Sequence, residues 1–122
     1  MATQALNLSL NLNTADTVSG IFTLNSTVLD TVNFDNTEVE SKTMSITTGA
    51  IEIIPTSAAD TYIFIQNTDL ANFVTVQDVA HNTYAKIFPG GFMFLCCDGG
   101  EGLELFADTA SVVVNYAKFK KV

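Results

Sequence analysis

Few residues of this chain could do chemistry. Cys96 and Cys97 stand side by side in "FMFLCCDGGEGLE", and His81 is the sole histidine. A thiol beside an imidazole is the pairing of nucleophilic catalysis, because the base takes the proton that makes sulfur a nucleophile. The same three residues with a carboxylate could ligate zinc, and Asp98, Glu101 and Glu104 offer hard oxygens to calcium. Spacing argues against each role. Neighbours on a strand point to opposite faces, so Cys96 and Cys97 are poorly placed to share one ion, and no C-x-x-C or H-x-x-x-H supports a zinc site. The carboxylates match neither an EF-hand nor a nonapeptide repeat. There is no G-x-S-x-G elbow, and "DGGEG" lacks the lysine and the helix of a phosphate loop. The expectation is a non-enzymatic chain with no catalytic residue, metal or cofactor. One cysteine is then a small core residue and the other an outward or interface-facing thiol, His81 lies in a loop, and "DGGEG" is a turn with positive φ at Gly99 or Gly100.

The elements that would position these residues are strands. Leu6, Leu8, Leu10 and Leu12 alternate with Asn7, Ser9 and Asn11, the period of a strand with one apolar face. Short runs rich in Val, Ile, Thr, Phe and Tyr follow at 18–24, 27–34, 37–47, 50–54, 61–67, 72–78, 83–88, 91–97, 102–107 and 111–119. Turn residues recur between them, as in "PTSAAD", "NTDLA", "PGG", "DGGEG" and "ADTA". With no amphipathic helix between, this predicts an all-β chain, an antiparallel β-sandwich of jelly-roll or Ig-like type. Residues 1–122 form a single domain, with 1–17 an edge strand or an arm packing elsewhere. Phe92 and Phe94 fall on one strand face and Phe106 follows the next turn, a spacing that fits a shared core.

Composition narrows the functional classes. The chain has 122 residues, 48% hydrophobic and 15% charged, enough for a core without staples and sparing in surface charge. Thirteen acids oppose five lysines with no arginine, which argues against nucleic acid as a partner. Lys118, Lys120 and Lys121 read as a solubilising tail end. No run approaches the ~20 apolar residues of a membrane helix, and the first 14 residues lack the basic and apolar regions of a signal peptide, so the reading is a chain that meets no membrane and keeps its thiols reduced. A carbohydrate-binding module is the rival from another class. It needs exposed flat rings, and with no tryptophan the stackers would be Tyr62, Tyr84 and Tyr116.

The order "YIFIQNTD", "NFVTVQD", "AKIFPGGFMFL" and "LELFADTASVVVNYAKF" resembles the closing strands of small virion structural proteins of tailed bacteriophages, over residues 61–119. The resemblance implies a virion protein made in the host cytoplasm that oligomerises, with a trimer favoured. Its partners would be other copies of itself and the major capsid protein or other virion proteins. The role implied is capsid decoration, cementing the head by burying contact area; a tail or head-fibre subunit is the alternative within the virion. The interface is expected at Leu6, Leu8, Leu10 and Leu12, whose strand could add to a neighbour, and at Phe119 among the outward residues of the aromatic strands.

Overall fold

The computed structural model describes the backbone of residues 3–15, 23–56 and 59–122, and the side chains of these except at positions 3, 12–15, 23–32 and 35–38. Nine strands are present among the described residues: β1 Thr3–Ala15, β2 Thr23–Ile46, β3 Ile51–Ile54, β4 Thr61–Asn67, β5 Val74–Gln77, β6 Thr83–Ile87, β7 Phe92–Cys97, β8 Leu103–Ala107 and β9 Val112–Lys121. They make a five-stranded sheet, β1-β2-β9-β4-β7, and a four-stranded sheet, β3-β8-β5-β6. Every pairing is antiparallel, and β2 to β9 pair in nested fashion: β2 with β9, β3 with β8, β4 with β7, β5 with β6. A ribbon paired that way and folded over on itself is a jelly roll, the first of the two sandwich types expected from the sequence.

Alternation decides what lies between the sheets. Ile63 and Ile65 of β4, Val74 and Val76 of β5, Leu103 and Leu105 of β8, and Val112 and Val114 of β9 are all fully buried. Burying each such side chain contributes about 1.5–3 kcal/mol. The interior is mostly aliphatic: among the described residues the buried cluster holds Tyr116 but no phenylalanine. Asn67, at the end of β4, is polar and fully buried. Its amide donates to the carbonyls of Asn72 and Ile87, both at 2.9 Å, and its Oδ1 accepts the amide of Asp69 at 2.8 Å. Three backbone groups, two in the loop after β4 and one at the end of β6, are thereby satisfied inside the protein, where an unpaired one would be costly.

The connection from β6 to β7, which passes from one sheet to the other, turns at Pro89 and Gly90, with Gly90 at φ +75 and the Gly91 amide bonded to the Phe88 carbonyl at 2.8 Å. Proline second and a positive-φ glycine third make a type II turn. In "DGGEG" the positive φ falls on Gly102, at +71, and not on Gly99 or Gly100. The Asp98 carboxylate takes the Gly100 amide and the Asp98 carbonyl takes those of Glu101 and Gly102, so the chain is wound around Asp98 and the reversal is left to its last residue.

The first half departs from the short strands expected. The runs at 27–34 and 37–47 belong to one strand, β2, of 24 residues, with a register shift between Phe34 and Val39. No glycine or proline lies in 23–46, so nothing there forces a break. From Val39 on, β2 is part of the sandwich beside β9. Its earlier residues, 23–35, pair with β1 through 13 consecutive positions. Pairing with β9 begins only at Phe34, so 23–33 and β1 form a two-stranded arm. The expected strand or arm at 1–17 is therefore β1; residues 1, 2, 16 and 17 lie outside the described residues.

Candidate functional site

The outer side of the five-stranded sheet is the candidate site. With Ile63 and Ile65 pointing into the core, Tyr62, Phe64 and Gln66 of β4 must point outward. In β7 the same rule sends Phe92, Phe94 and Cys96 outward, and Met93 and Leu95 pack against the core beside buried Cys97. Register sets Tyr62 beside Cys96 on one flank and Phe119 on the other, and Phe64 beside Phe94 and Ala117. The rings gather. Tyr62 and Phe94 stack 6.1 Å apart at 11°, Phe64 and Phe92 lie 6.2 Å apart, and Phe119 meets Phe34 edge-on at 5.0 Å. Phe92 is 57% exposed and Val39, paired with Phe119, is 45% exposed.

The expectation that Phe92 and Phe94 share a core with Phe106 is thus corrected. They lie outside the five-stranded sheet, whereas Phe106 sits half-buried on β8 of the other sheet. Both parities of "YIFI" and "FMFLC" are apolar, so periodicity alone could not say which face meets the core; only the register with buried Val114 and Tyr116 decides it.

The leucine stripe continues this face. Phe34 pairs with Lys121 and touches Phe119, so it is on the outer side, and Gln4 lies opposite Phe34 in the arm. Leu6, Leu8, Leu10 and Leu12 have the parity of Gln4. The register places them opposite Val32, Asp30, Val28 and Ser26. Leu6 and Leu8 are half-buried and Leu10 is 37% exposed; the side chain of Leu12 lies outside the described residues. Four of the five expected interface residues, Leu6, Leu8, Leu10 and Phe119, therefore share one side of one sheet with Tyr62, Phe64, Phe92 and Phe94. From β7 across to the Val39–Ile46 part of β2, no carboxylate points outward among the described residues, in a chain of formal charge −8. Polar Gln66, Asn115, Ser41, Thr43 and Ser45 share this side with the rings, and soluble proteins seldom leave such a cluster of rings open unless it binds something.

The groups that could do chemistry are dispersed. Cys96 is exposed on the aromatic face and Cys97 is buried, both as free thiols. Cys97 Sγ donates to the carbonyls of Asp98 and Gly102 at 3.5 and 3.4 Å, and burial pushes this thiol up to about 11. His81 lies in the loop between β5 and β6, in the other sheet, at φ 71. Asp78 holds that loop: its carboxylate takes the amide and the side-chain nitrogen of Asn82 at 2.8 and 2.9 Å, which keeps it below its ordinary range. His81 Nδ1 lies 2.9 Å from Gln77 Nε2 and 3.2 Å from Glu104 Oε1. Gln77 Nε2 also donates to Glu104 at 2.8 Å, so the histidine completes a network that pins its own loop to β8. Asp98 and Glu101 are exposed in their turn, whereas Glu104 is buried on β8.

The basic end is strand, not tail. Lys118 lies on the inner side of β9, donating to the Ile53 carbonyl at 3.0 Å and sitting 3.2 Å from Glu40. Tyr116 donates its hydroxyl to the same carboxylate at 2.7 Å. That hydrogen bond and Lys118 draw Glu40 below its usual value, while burial, with Glu40 adding to it, pushes Tyr116 up to about 12. Compared with known protein families, curated proteins and solved structures, the chain matches none.

Proposed function

We propose that the chain is a non-enzymatic virion structural protein of the capsid-decorating type, working as a homo-oligomer that adds contact area at the surface of a phage head. The observation that carries this reading is the apolar outer face of the five-stranded sheet, prolonged by an arm that the sandwich itself does not use. A protein built for association spends sequence on such a surface, and bound copies stabilise whatever they bridge by mass action. The resemblance of residues 61–119 to tailed-phage virion proteins supplies the setting. The jelly roll is compatible with it, since capsid and lectin domains both use that fold, and by itself it decides nothing about function. Gold-labelled antibody on purified particles tests the reading. Label over the heads supports decoration, label at the tails moves the assignment to a fibre subunit, and unlabelled particles refute both.

One observation favours a second reading, a carbohydrate-binding adhesion module. Tyr62 and Phe94 lie nearly parallel on an outer face, as the flat rings of a sugar platform do. Glycan-array binding that disappears in Tyr62→Ala would favour it.

A further inference from the structure

We infer that the occupant of the outer face is a second copy of this chain, with the arm of one copy lying across the aromatic patch of the next. This rests on the association reading above and names its partner and its geometry.

The arm cannot cover its own patch. It is the direct continuation of β2, a single strand from Thr23 to Ile46, and it leaves the sandwich where β9 pairing stops at Phe34. To reach Phe92 and Phe94 on the far edge strand it would have to fold back across β9 and β4, breaking the ladder that defines it. Yet a two-stranded ribbon in water is marginal without a packed face. The arm therefore needs an apolar surface from outside its own chain, and the patch is an apolar surface in need of a cover.

The charges permit a like partner. Copies of an acidic chain repel one another, and they approach at least cost through a face without carboxylates. The aromatic patch is that face among the described residues.

The areas agree as well. An arm of 13 paired residues is about 45 Å long and about 10 Å wide at ordinary strand spacings, or roughly 450 Å² on one side. The patch from β7 to β2, four strands wide, offers roughly 300 Å². An arm laid on a patch covers no more than the patch, so a single contact buries roughly 300 Å² per partner and a reciprocal one, two arms on two patches, roughly 600 Å² per partner, the low end of a standard stable interface. Each copy offers one arm and one patch, and the reciprocal pairing of two copies is the arrangement that reaches such an area.

Cys96 reports on this arrangement, because it is exposed on the patch beside Tyr62. Of the two free cysteines, an unfolded chain presents both to iodoacetamide, a folded lone copy presents only Cys96, and the assembled protein presents neither. The expected result is an oligomer by light scattering in which Cys96 reacts slower by about tenfold or more than in Phe92→Glu, a variant that places a charge at an already exposed position. In the folded variant Cys97 stays unreactive, which separates dissociation from unfolding. In Leu10→Cys, a short bismaleimide should join residue 10 of one copy to Cys96 of another, giving covalent multimers on a denaturing gel. A monomeric wild type overturns the inference and leaves the face to another virion protein or to a glycan. An oligomer with fully reactive Cys96 and no cross-link places the contact elsewhere and also overturns it. Particle labelling reads the virion assignment separately, so either can fail without the other.

Discussion

Replacing Gly102 by alanine tests whether the turn after β7 is as tightly wound as its geometry implies. Gly102 is buried at φ +71, and a Cβ there would lie 2.6 Å from Val79 Cγ2 and 2.7 Å from the Ile54 carbonyl oxygen. Val79 can swing aside. Ile54 cannot, because its backbone is held in register with Leu103. Left-handed backbone costs an L-residue about 1–2 kcal/mol, and overpacking a filled site adds about 1–3 kcal/mol. Gly102→Ala should therefore lose about 3 kcal/mol, a large share of the ~5–15 kcal/mol of a whole domain. Gly90→Ala is the control, since Gly90 has the same hand of backbone, φ +75, with nothing within 4 Å of its Cβ position. It should lose only about 1 kcal/mol. Urea unfolding at one fixed protein concentration, with equal slopes for the two variants, reads the difference directly. Equal losses would refute the steric argument, because backbone conformation alone would then account for both.

Asn67→Ala should cost about 3 kcal/mol in the same assay, since it strands the Asn72 and Ile87 carbonyls and the Asp69 amide; a loss under 1 kcal/mol would show that water enters to replace it. Asn67→Asp should not rescue it, because a carboxylate cannot donate to two carbonyls. Stability should fall on the alkaline side. Cys97 and Tyr116 hold their protons more tightly folded than unfolded, so their contribution is whole below their ordinary values of 9.0 and 10.0 and is lost as pH rises towards about 11 and about 12. Thermal melts from pH 9 to 12 should show that slope, and it should be shallower in Tyr116→Phe at the upper end. On the acid side Glu40 works in the opposite sense. Its carboxyl is drawn down by Tyr116 and Lys118, so its contribution is present above the ordinary 4.5 and disappears as pH falls through the lowered value. Glu40→Gln should flatten that limb, and unchanged melts would show that the exposed carboxylate contributes nothing.

The parts of the fold that were legible in the sequence are those where one parity is polar. Leu6 to Leu12 alternate with asparagine and serine, and β1 is a strand with its leucines on one side. Adjacent cysteines in a strand separate to opposite faces by geometry alone, and Cys96 and Cys97 do so. Where both parities are apolar the sequence is silent about sides. "YIFI" can bury its isoleucines or its aromatics equally well, and the register with β9 chose the isoleucines, which turned the expected aromatic core into an outer patch. The length of β2 was hidden for a related reason. The expected runs stopped at Asn25–Ser26 and at Asp35–Asn36, polar pairs between apolar stretches, but the backbone ladder of β2 with β1 runs through 23–35 whatever those side chains are. Lys118 misled because charge near a chain end suggests solvent, whereas here a lysine reaches a carbonyl and a carboxylate of neighbouring strands.

The single strand β2 has a mechanical consequence. Tension on the arm along its length is delivered straight into the ladder between β2 and β9, which runs from Val39 to Ile46 opposite Phe119 to Val112. Antiparallel hydrogen bonds lie across the strands, so that force loads them in shear, all together, instead of peeling them apart one by one. An object gripped by the arms would be tethered to that ladder through the register shift between Phe34 and Val39, the one irregularity along β2 between grip and body.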